Sequence, residues 1–181
     1  MDKDQKVPIE LVEYSKNQFE RFVAVYDALD GKSLGIMGII GLLVGFQAIS
    51  FDNIIKIIKV IINNKEHNTL CIAIIITFLI YAVFLIFGAL FSLLSYTIRK
   101  IEYPTSAKKI RDEYLKIKEP EKGFEILKVD ILNTYIKAAQ NIENNNHVKS
   151  KILKCSIFCT LISLISLIFA LILIVVYKSF F

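Results

Sequence analysis

The stretch LGIMGIIGLLVGFQAIS, at residues 34–50, carries no charged residue and contains four of the seven glycines in this chain. Gly38, Gly41, Gly45 and Ala48 follow one another at spacings of three and four residues, which places them along one side of a helix. In a water-soluble helix each glycine would cost about 1 kcal/mol relative to alanine, whereas in lipid small residues let neighbouring helices approach closely. The stretch therefore predicts a membrane helix built for close packing, either on its own neighbours or on another subunit.

Two further apolar blocks indicate that the chain crosses a membrane more than once. Residues 69–97 give 29 consecutive positions without a charge, and residues 155–177 give another 23. As a helix the longer block would extend about 44 Å, more than the ~30 Å hydrocarbon core, so it should tilt or project from the lipid. The 181-residue chain is 55% hydrophobic. We therefore expect an all-α integral membrane protein with three transmembrane helices and a cytosolic helical bundle.

The distribution of basic residues predicts the orientation of these helices. Residues 98–154 carry thirteen lysines and arginines, whereas residues 51–68 carry three lysines. Because basic loops stay on the cytosolic side, the long segment and the N-terminus should both lie inside, in a multi-pass protein of the cell (inner) membrane. We expect no cleavable signal peptide, since about thirty mixed polar and charged residues precede the first apolar run.

The apolar blocks divide the chain into four regions. Residues 1–33 predict a cytosolic amphipathic helix, residues 34–97 the first two spans, residues 98–153 a basic cytosolic helical region, and residues 154–178 the third span. Between the first two spans, isoleucines at helical spacing predict an interfacial helix over residues 51–63. A re-entrant segment and an extension of the first span are the alternatives for this stretch.

Within residues 98–153, the expected helices have boundaries at poor helix formers. Pro104 predicts the start of a short helix that stops near Pro120, and Gly123 is expected to separate it from a longer one. The longer helix has an apolar stripe and should reach the third span, with a kink or break at the asparagine-rich patch, residues 144–146.

A second set of small residues follows helical spacing in the third span, namely Cys159, Ser163, Ser166 and Ala170. These residues favour helix packing. His67 and His147 fall on opposite sides of the membrane in the expected topology, and the cysteines lack the further ligands that a zinc site needs. We also find no catalytic motif and no ionisable residue inside a span. The sequence therefore predicts a protein without metal or cofactor that is neither an enzyme nor a coupled transporter.

Basic residues near the membrane are the candidate ligand-binding groups. They are Arg99, Lys100, Lys108, Lys109 and Arg111 after the second span, together with Lys32 before the first. Such residues can hold anionic lipid of the inner leaflet, or bind an anionic ligand such as a nucleotide phosphate. For Lys32, a charge pair with Asp30 at a helix end is the alternative. Nucleic acid is not expected as a partner, because acidic residues interleave with the basic ones close to the membrane.

The segment YDALDGKS, residues 26–33, resembles the Asp-x-Lys-Ala/Ser segment before the first span in small membrane effectors of Pycsar antiphage systems, with Ser33 at the position more often held by alanine. The order of the chain is similar too: a Tyr-Pro step at residues 103–104 follows the second span, and asparagines and lysines at residues 144–154 precede the last. The layout also resembles the related SLATT-type membrane effectors.

This resemblance implies a membrane effector of prokaryotic defence that a cyclic nucleotide triggers and that disrupts inner-membrane integrity. We expect a homo-oligomer, because two small-residue faces exceed the needs of one three-helix bundle. The main alternative is a passive anchor or assembly subunit that docks a cytosolic partner. A third hypothesis is a holin-like toxin that permeabilises the membrane on expression alone.

Overall fold

The structure of the chain is a computed structural model, which describes the backbone of residues 8–63, 68–98, 101, 103–104, 109–110, 112 and 120–180. Within those helices, side chains are described except at residues 48–54, 57–58, 60–63, 68, 70–71, 120–122, 177–178 and 180.

Three long helices make up most of the described chain. Helix α1 spans Ile9–Asn63 with 55 residues, α2 spans Asn68–Thr97 with 30, and α3 spans Pro120–Phe180 with 61. No strand occurs in residues 8–63, 68–98 or 120–180, so the all-α prediction is confirmed for the described residues. Each helix contains a segment long and apolar enough to cross a membrane, which fits a multi-pass membrane protein.

Helix α3 is continuous where the sequence suggested a kink or break. It begins at Pro120, a favourable first residue for a helix, and it includes Gly123 and the asparagine-rich patch. The Asn145 side-chain amide donates to the Asn141 side-chain oxygen at 3.0 Å, and the Asn146 amide donates to the Phe22 carbonyl at 2.9 Å. These partners offset the low helix propensity of asparagine, so the interruption expected from propensity was wrong.

Helix α1 is also longer than its apolar block. Residues 51–63, which we assigned to a separate interfacial helix, form the C-terminal part of α1. The backbone thus follows the third alternative, an extension of the first span. No proline or glycine occurs between Phe46 and Asn63, so nothing in the local sequence breaks the helix.

The chain divides into two compact units. The amphipathic unit comprises Met1–Leu29 and Ile98–Lys149, and the apolar unit comprises Asp30–Thr97 and Ser150–Phe181. Helices α1 and α3 each contribute residues to both units.

The amphipathic unit has a conventional apolar core. Phe19, Tyr26, Ala138, Ala139 and Ile142 are buried together, and partly buried residues surround them. The ring of Phe19 also meets the rings of Tyr103 and Tyr135 edge to face, at centroid distances of 6.3 and 6.0 Å. One face of α1 therefore packs against one face of α3 in this unit, as the apolar spacing on both segments requires.

The apolar unit has the opposite distribution of polar and apolar side chains. Large apolar side chains lie on its surface, with Leu42 74% and Phe46 77% exposed, while serine and threonine side chains are buried. In water this distribution would be unfavourable, whereas in a bilayer the lipid solvates the apolar surface and polar groups need partners inside the protein. A smaller apolar cluster of Ile40, Tyr81 and Leu85 completes the interior.

Gly88 lies in a close contact between α2 and α3. A Cβ atom at this position would lie 2.8 Å from the Thr160 hydroxyl oxygen, and 3.6 Å from a terminal carbon of Ile40. The Thr160 hydroxyl donates to the Ser156 carbonyl at 2.9 Å, so rotating it away would break that bond. By contrast, a Cβ atom at Gly31 would meet nothing within 4 Å.

We therefore predict that Gly88→Ala destabilises the apolar unit by about 1–3 kcal/mol, the usual effect of overpacking a close contact. Gly31→Ala is the matched control and should be at least as stable as the native protein, because alanine is the better helix former and meets nothing there. The measurement is chemical unfolding of the purified full-length variants in detergent micelles. Equal stability of the Gly88→Ala variant and the native chain would contradict the close approach.

Candidate functional site

The most unusual buried group of the amphipathic unit is the side chain of Lys149. It is 0% exposed, and its ammonium nitrogen lies 3.5 Å from the centre of the Tyr26 ring. Tyr26 is itself 3% exposed, and its hydroxyl donates to the carbonyl oxygen of Ile98. The electron-rich face of the ring stabilises the cation, and the hydrogen bond holds the ring in place.

Asn146 lies one helical turn before Lys149 and joins α3 to α1. Its amide donates to the Phe22 carbonyl at 2.9 Å, and its side-chain oxygen is buried without a hydrogen-bond partner among the described residues. Ile142, another turn earlier, is fully buried in the core of the unit. The face of α3 that carries Ile142, Asn146 and Lys149 thus changes from apolar to polar toward the boundary of the amphipathic unit. We refer to Tyr26, Asn146 and Lys149 as the buried polar cluster.

The buried polar cluster was not among the residues predicted from the sequence, in which Lys149 is one of thirteen basic residues in the segment 98–154. A usable signal was present. Lys149 continues the spacing of Ala138, Ile142 and Asn146 along the core face of α3, where a charged residue is rare unless it has a specific partner.

The predicted ligand-binding residues are only partly described. Lys32 is exposed in the apolar unit, and Lys109 is exposed in the amphipathic unit. Arg99, Lys100, Lys108 and Arg111 lie outside the described residues. Both described lysines can therefore reach a soluble anion or a lipid headgroup.

The glycine face of α1, comprising Gly35, Gly38, Gly41 and Gly45, is open. A Cβ atom built at any of these positions meets no heavy atom within 4 Å in the part of the chain that the structure describes. The side chain of Ala48, the last residue of the predicted stripe, is outside that part. Gly88 of α2, not this stripe, makes the close helix contact.

The small residues of α3 have a different placement. Cys159, Ser163 and Ala170 are buried, and Ser166 is partly buried. The Ser163 hydroxyl donates to the Tyr81 carbonyl at 3.3 Å. This face of α3 therefore lies inside the apolar unit.

Ser163 belongs to a row of buried hydroxyls that connects all three helices of the apolar unit, and we call this row the hydroxyl seam. The Ser33 hydroxyl donates to the Ser95 hydroxyl at 3.1 Å, and the Ser92 hydroxyl donates to the Ser33 carbonyl at 2.8 Å. The Ser156 hydroxyl donates to the Gly88 carbonyl at 2.7 Å. In lipid each of these groups must find its partner within the protein, so the seam holds the helices together.

No group of three or more His, Cys, Asp or Glu side chains that could hold a metal ion occurs among the described residues. Cys155 and Cys159, one turn apart on α3, are both free thiols.

Comparison of the chain with models of protein families, with curated proteins and with solved structures finds no significant match in any of the three.

We predict that the Tyr26 ring and the Lys149 cation stabilise each other. Tyr26→Leu should destabilise the native chain strongly, because it leaves the ammonium group without its aromatic partner, and should cost much less in a Lys149→Met background. The expected coupling is about 0.5–2 kcal/mol, measured as a double-mutant cycle by unfolding in micelles.

The control for this cycle is Lys151→Met, since Lys151 is exposed on the same helix. It should be neutral alone and show no coupling to Tyr26→Leu. A Lys149–Tyr26 coupling no larger than that of the control would refute the cation–π interaction.

Proposed function

We propose that this protein is a membrane effector of a prokaryotic antiphage defence system, which is triggered by a cyclic nucleotide and disrupts inner-membrane integrity by assembling into a homo-oligomer. The open glycine face of α1 is the observation that carries this proposal. Gly35, Gly38, Gly41 and Gly45 leave the backbone accessible over about three helical turns, in a helix that is apolar enough to span a membrane.

In lipid, such a face contributes little to a monomer. The apolar unit already has its own internal contacts through the hydroxyl seam, so the glycines are not needed to pack the three helices. A second copy of the chain that docks there would bring two backbones close together and gain dispersion contacts along the whole face. Membrane disruption then follows from assembly, because an oligomer can enclose a path that one three-helix unit cannot.

The trigger acts through basic residues at the membrane surface. An anionic ligand such as a cyclic nucleotide would bind the basic groups Lys32, Arg99, Lys100, Lys108, Lys109 and Arg111, with arginine providing paired donors to phosphate oxygens. Helices α1 and α3 run unbroken from the amphipathic unit into the apolar unit. A ligand-induced shift of α1 at Lys32 would therefore reach the first span through continuous hydrogen-bonded backbone.

The orientation that this mechanism requires follows from charge. With the N-terminus and the basic segment in the cytosol, the ligand-binding groups face the compartment where a nucleotide signal is made. Membrane lipid is the other partner, since anionic headgroups can occupy the same basic residues before the signal arrives.

A passive anchor that docks a cytosolic partner is the second candidate function. Its support is the exposed apolar surface of the amphipathic unit, where Tyr14, Tyr103 and Ile126 are each more than half exposed. Exposed large apolar side chains are the kind of group that a docking protein can cover. An anchor, however, would leave the membrane intact.

The direct test is dye uptake by bacteria that express the full-length chain, with and without a co-expressed cyclase that makes 3′,5′-cyclic AMP, GMP, CMP or UMP in the cytosol. Uptake that requires one of these nucleotides supports the effector proposal. An intact membrane under every condition supports the anchor, and uptake without any nucleotide supports a toxin that acts on expression alone.

We predict that Gly41→Leu abolishes assembly and dye uptake without unfolding the protein. The leucine enters open space in the monomer but blocks close approach of a second α1. The control is Ile39→Leu, an exposed position two residues before Gly41 and on the other side of the helix from it, which should assemble normally. Mass measurement in detergent and dye uptake provide the two readouts. Normal assembly of Gly41→Leu would exclude this face as the subunit contact.

We predict further that Lys32→Ala removes the nucleotide response while leaving membrane insertion intact, because it deletes an exposed cation just before the first span. Lys16→Ala is the control, since Lys16 forms only an exposed pair with Glu20 at 3.8 Å. Membrane depolarisation is the measurement. A Lys32→Ala variant that depolarises cells as the native chain does would count against a ligand role for this residue.

A further inference from the structure

The hydroxyl seam begins at one end of the apolar unit and reaches its middle. Ser33, Ser95 and Ser156 lie near the ends of the apolar blocks, and the Ser33–Ser95 hydrogen bond places two of these ends together. The Ser156 hydroxyl donates to the Gly88 carbonyl, further along α2. The seam then continues to Ser163, which contacts the Tyr81 carbonyl. From Ser95 to Tyr81 it covers about 21 Å of α2 at 1.5 Å per residue.

Tyr81 lies at the inner end of the seam and has an unusual hydroxyl. The residue is 2% exposed and packs with Ile40 and Leu85, yet its hydroxyl has no hydrogen-bond partner among the described residues. A buried hydroxyl without a partner costs about 1–3 kcal/mol, and phenylalanine would fill the same space without that cost. The Tyr81 hydroxyl therefore fits a second arrangement of the protein, in which it forms a hydrogen bond with a polar molecule.

Beyond Tyr81 the buried side chains are mainly apolar. Ile74, Ala170 and Ile174 are buried there, and the buried Thr77 hydroxyl donates to the Ala73 carbonyl of its own helix at 2.7 Å. Water and ions entering along the seam would therefore stop at the Ile40–Tyr81–Leu85 cluster in the arrangement described here. The glycine face offers no comparable polar groups, since Leu42 and Phe46 flank it on the surface.

We infer that the hydroxyl seam lines the permeation path of the open assembly, in which the three helices of each apolar unit have moved apart so that several copies enclose the path. In the resting protein the Ile40–Tyr81–Leu85 cluster closes this path. The inference rests on the proposed membrane-disrupting function and specifies where solutes cross. Polar solutes need hydrogen-bonding groups along their path, and the seam supplies them over half of the apolar unit. Because Ser92, Ser156 and Ser163 carry no charge, the path should pass cationic and anionic dyes at similar rates.

The test is cysteine accessibility in vesicles that contain the full-length protein. The background variant carries Cys71→Ala, Cys155→Ala and Cys159→Ala, and is first shown to release both a cationic and an anionic dye on addition of 3′,5′-cyclic AMP, GMP, CMP and UMP. Single substitutions Ser92→Cys and Ser163→Cys are then exposed to a charged methanethiosulfonate reagent. Leu93→Cys and Ile165→Cys are the controls, because these exposed apolar positions are one and two residues away.

We expect the reagent to modify Ser92→Cys and Ser163→Cys only when nucleotide is present, and to reduce dye release several-fold. The two control cysteines should stay unmodified, since lipid covers them and a thiolate does not form there. Dye release with unmodified seam cysteines, or with modification of Gly41→Cys instead, would overturn the inference and leave the proposed function standing. Vesicles that never release dye would overturn both.

Tyr81→Phe provides an independent readout. The change removes an unpartnered hydroxyl, so the variant should fold and unfold at least as well as the native chain. We expect dye release to slow several-fold, because the barrier at the end of the seam becomes more apolar. An unchanged release rate would exclude the Tyr81 hydroxyl from the path.

Discussion

The contact between α2 and α3 at Gly88 is the constraint on which the apolar unit depends. Thr160 occupies the space that a side chain at Gly88 would need, and Ser156 donates to the Gly88 carbonyl at 2.7 Å. Ser163 and Tyr81 repeat the pairing seven residues further along each helix, in opposite directions. A shift in register would leave these hydroxyls without partners in lipid, where no solvent can replace them, so one antiparallel arrangement is strongly favoured.

The two units bury opposite kinds of side chain, which is expected if water surrounds the amphipathic unit and lipid surrounds the apolar unit. The amphipathic unit buries aromatic and aliphatic side chains, as any helical pair in water does, and the Lys149 ammonium in its core lies against the Tyr26 ring. The apolar unit buries hydroxyls and exposes Leu42 and Phe46 to lipid. The same continuous helices serve both units, so the change of pattern along α1 and α3 records the passage from water into the membrane.

Much of the fold could be predicted from the sequence, whereas the candidate site could be predicted only in part. Long uncharged blocks led to three helices able to cross a membrane, because length and hydropathy alone decide that property. The break expected at residues 144–146 did not occur, since Asn145 and Asn146 find partners that local propensity does not include. The burial of Lys149 was not predicted, because a lysine in a basic segment is expected to be exposed until its neighbours in the fold are known.

The sequence by itself determined the class of protein and the faces of its helices, because apolar length and residue spacing are local properties of the chain. The sequence predicted that the stripe of Gly38, Gly41 and Gly45 is a close-packing surface, but not which helix packs against it. Only the tertiary structure decided that this stripe stays open among the described residues while Gly88 takes a close contact. Which small residue meets a neighbour depends on the register and rotation of helices far apart in sequence, and these are set by hydroxyl partners that no single segment contains.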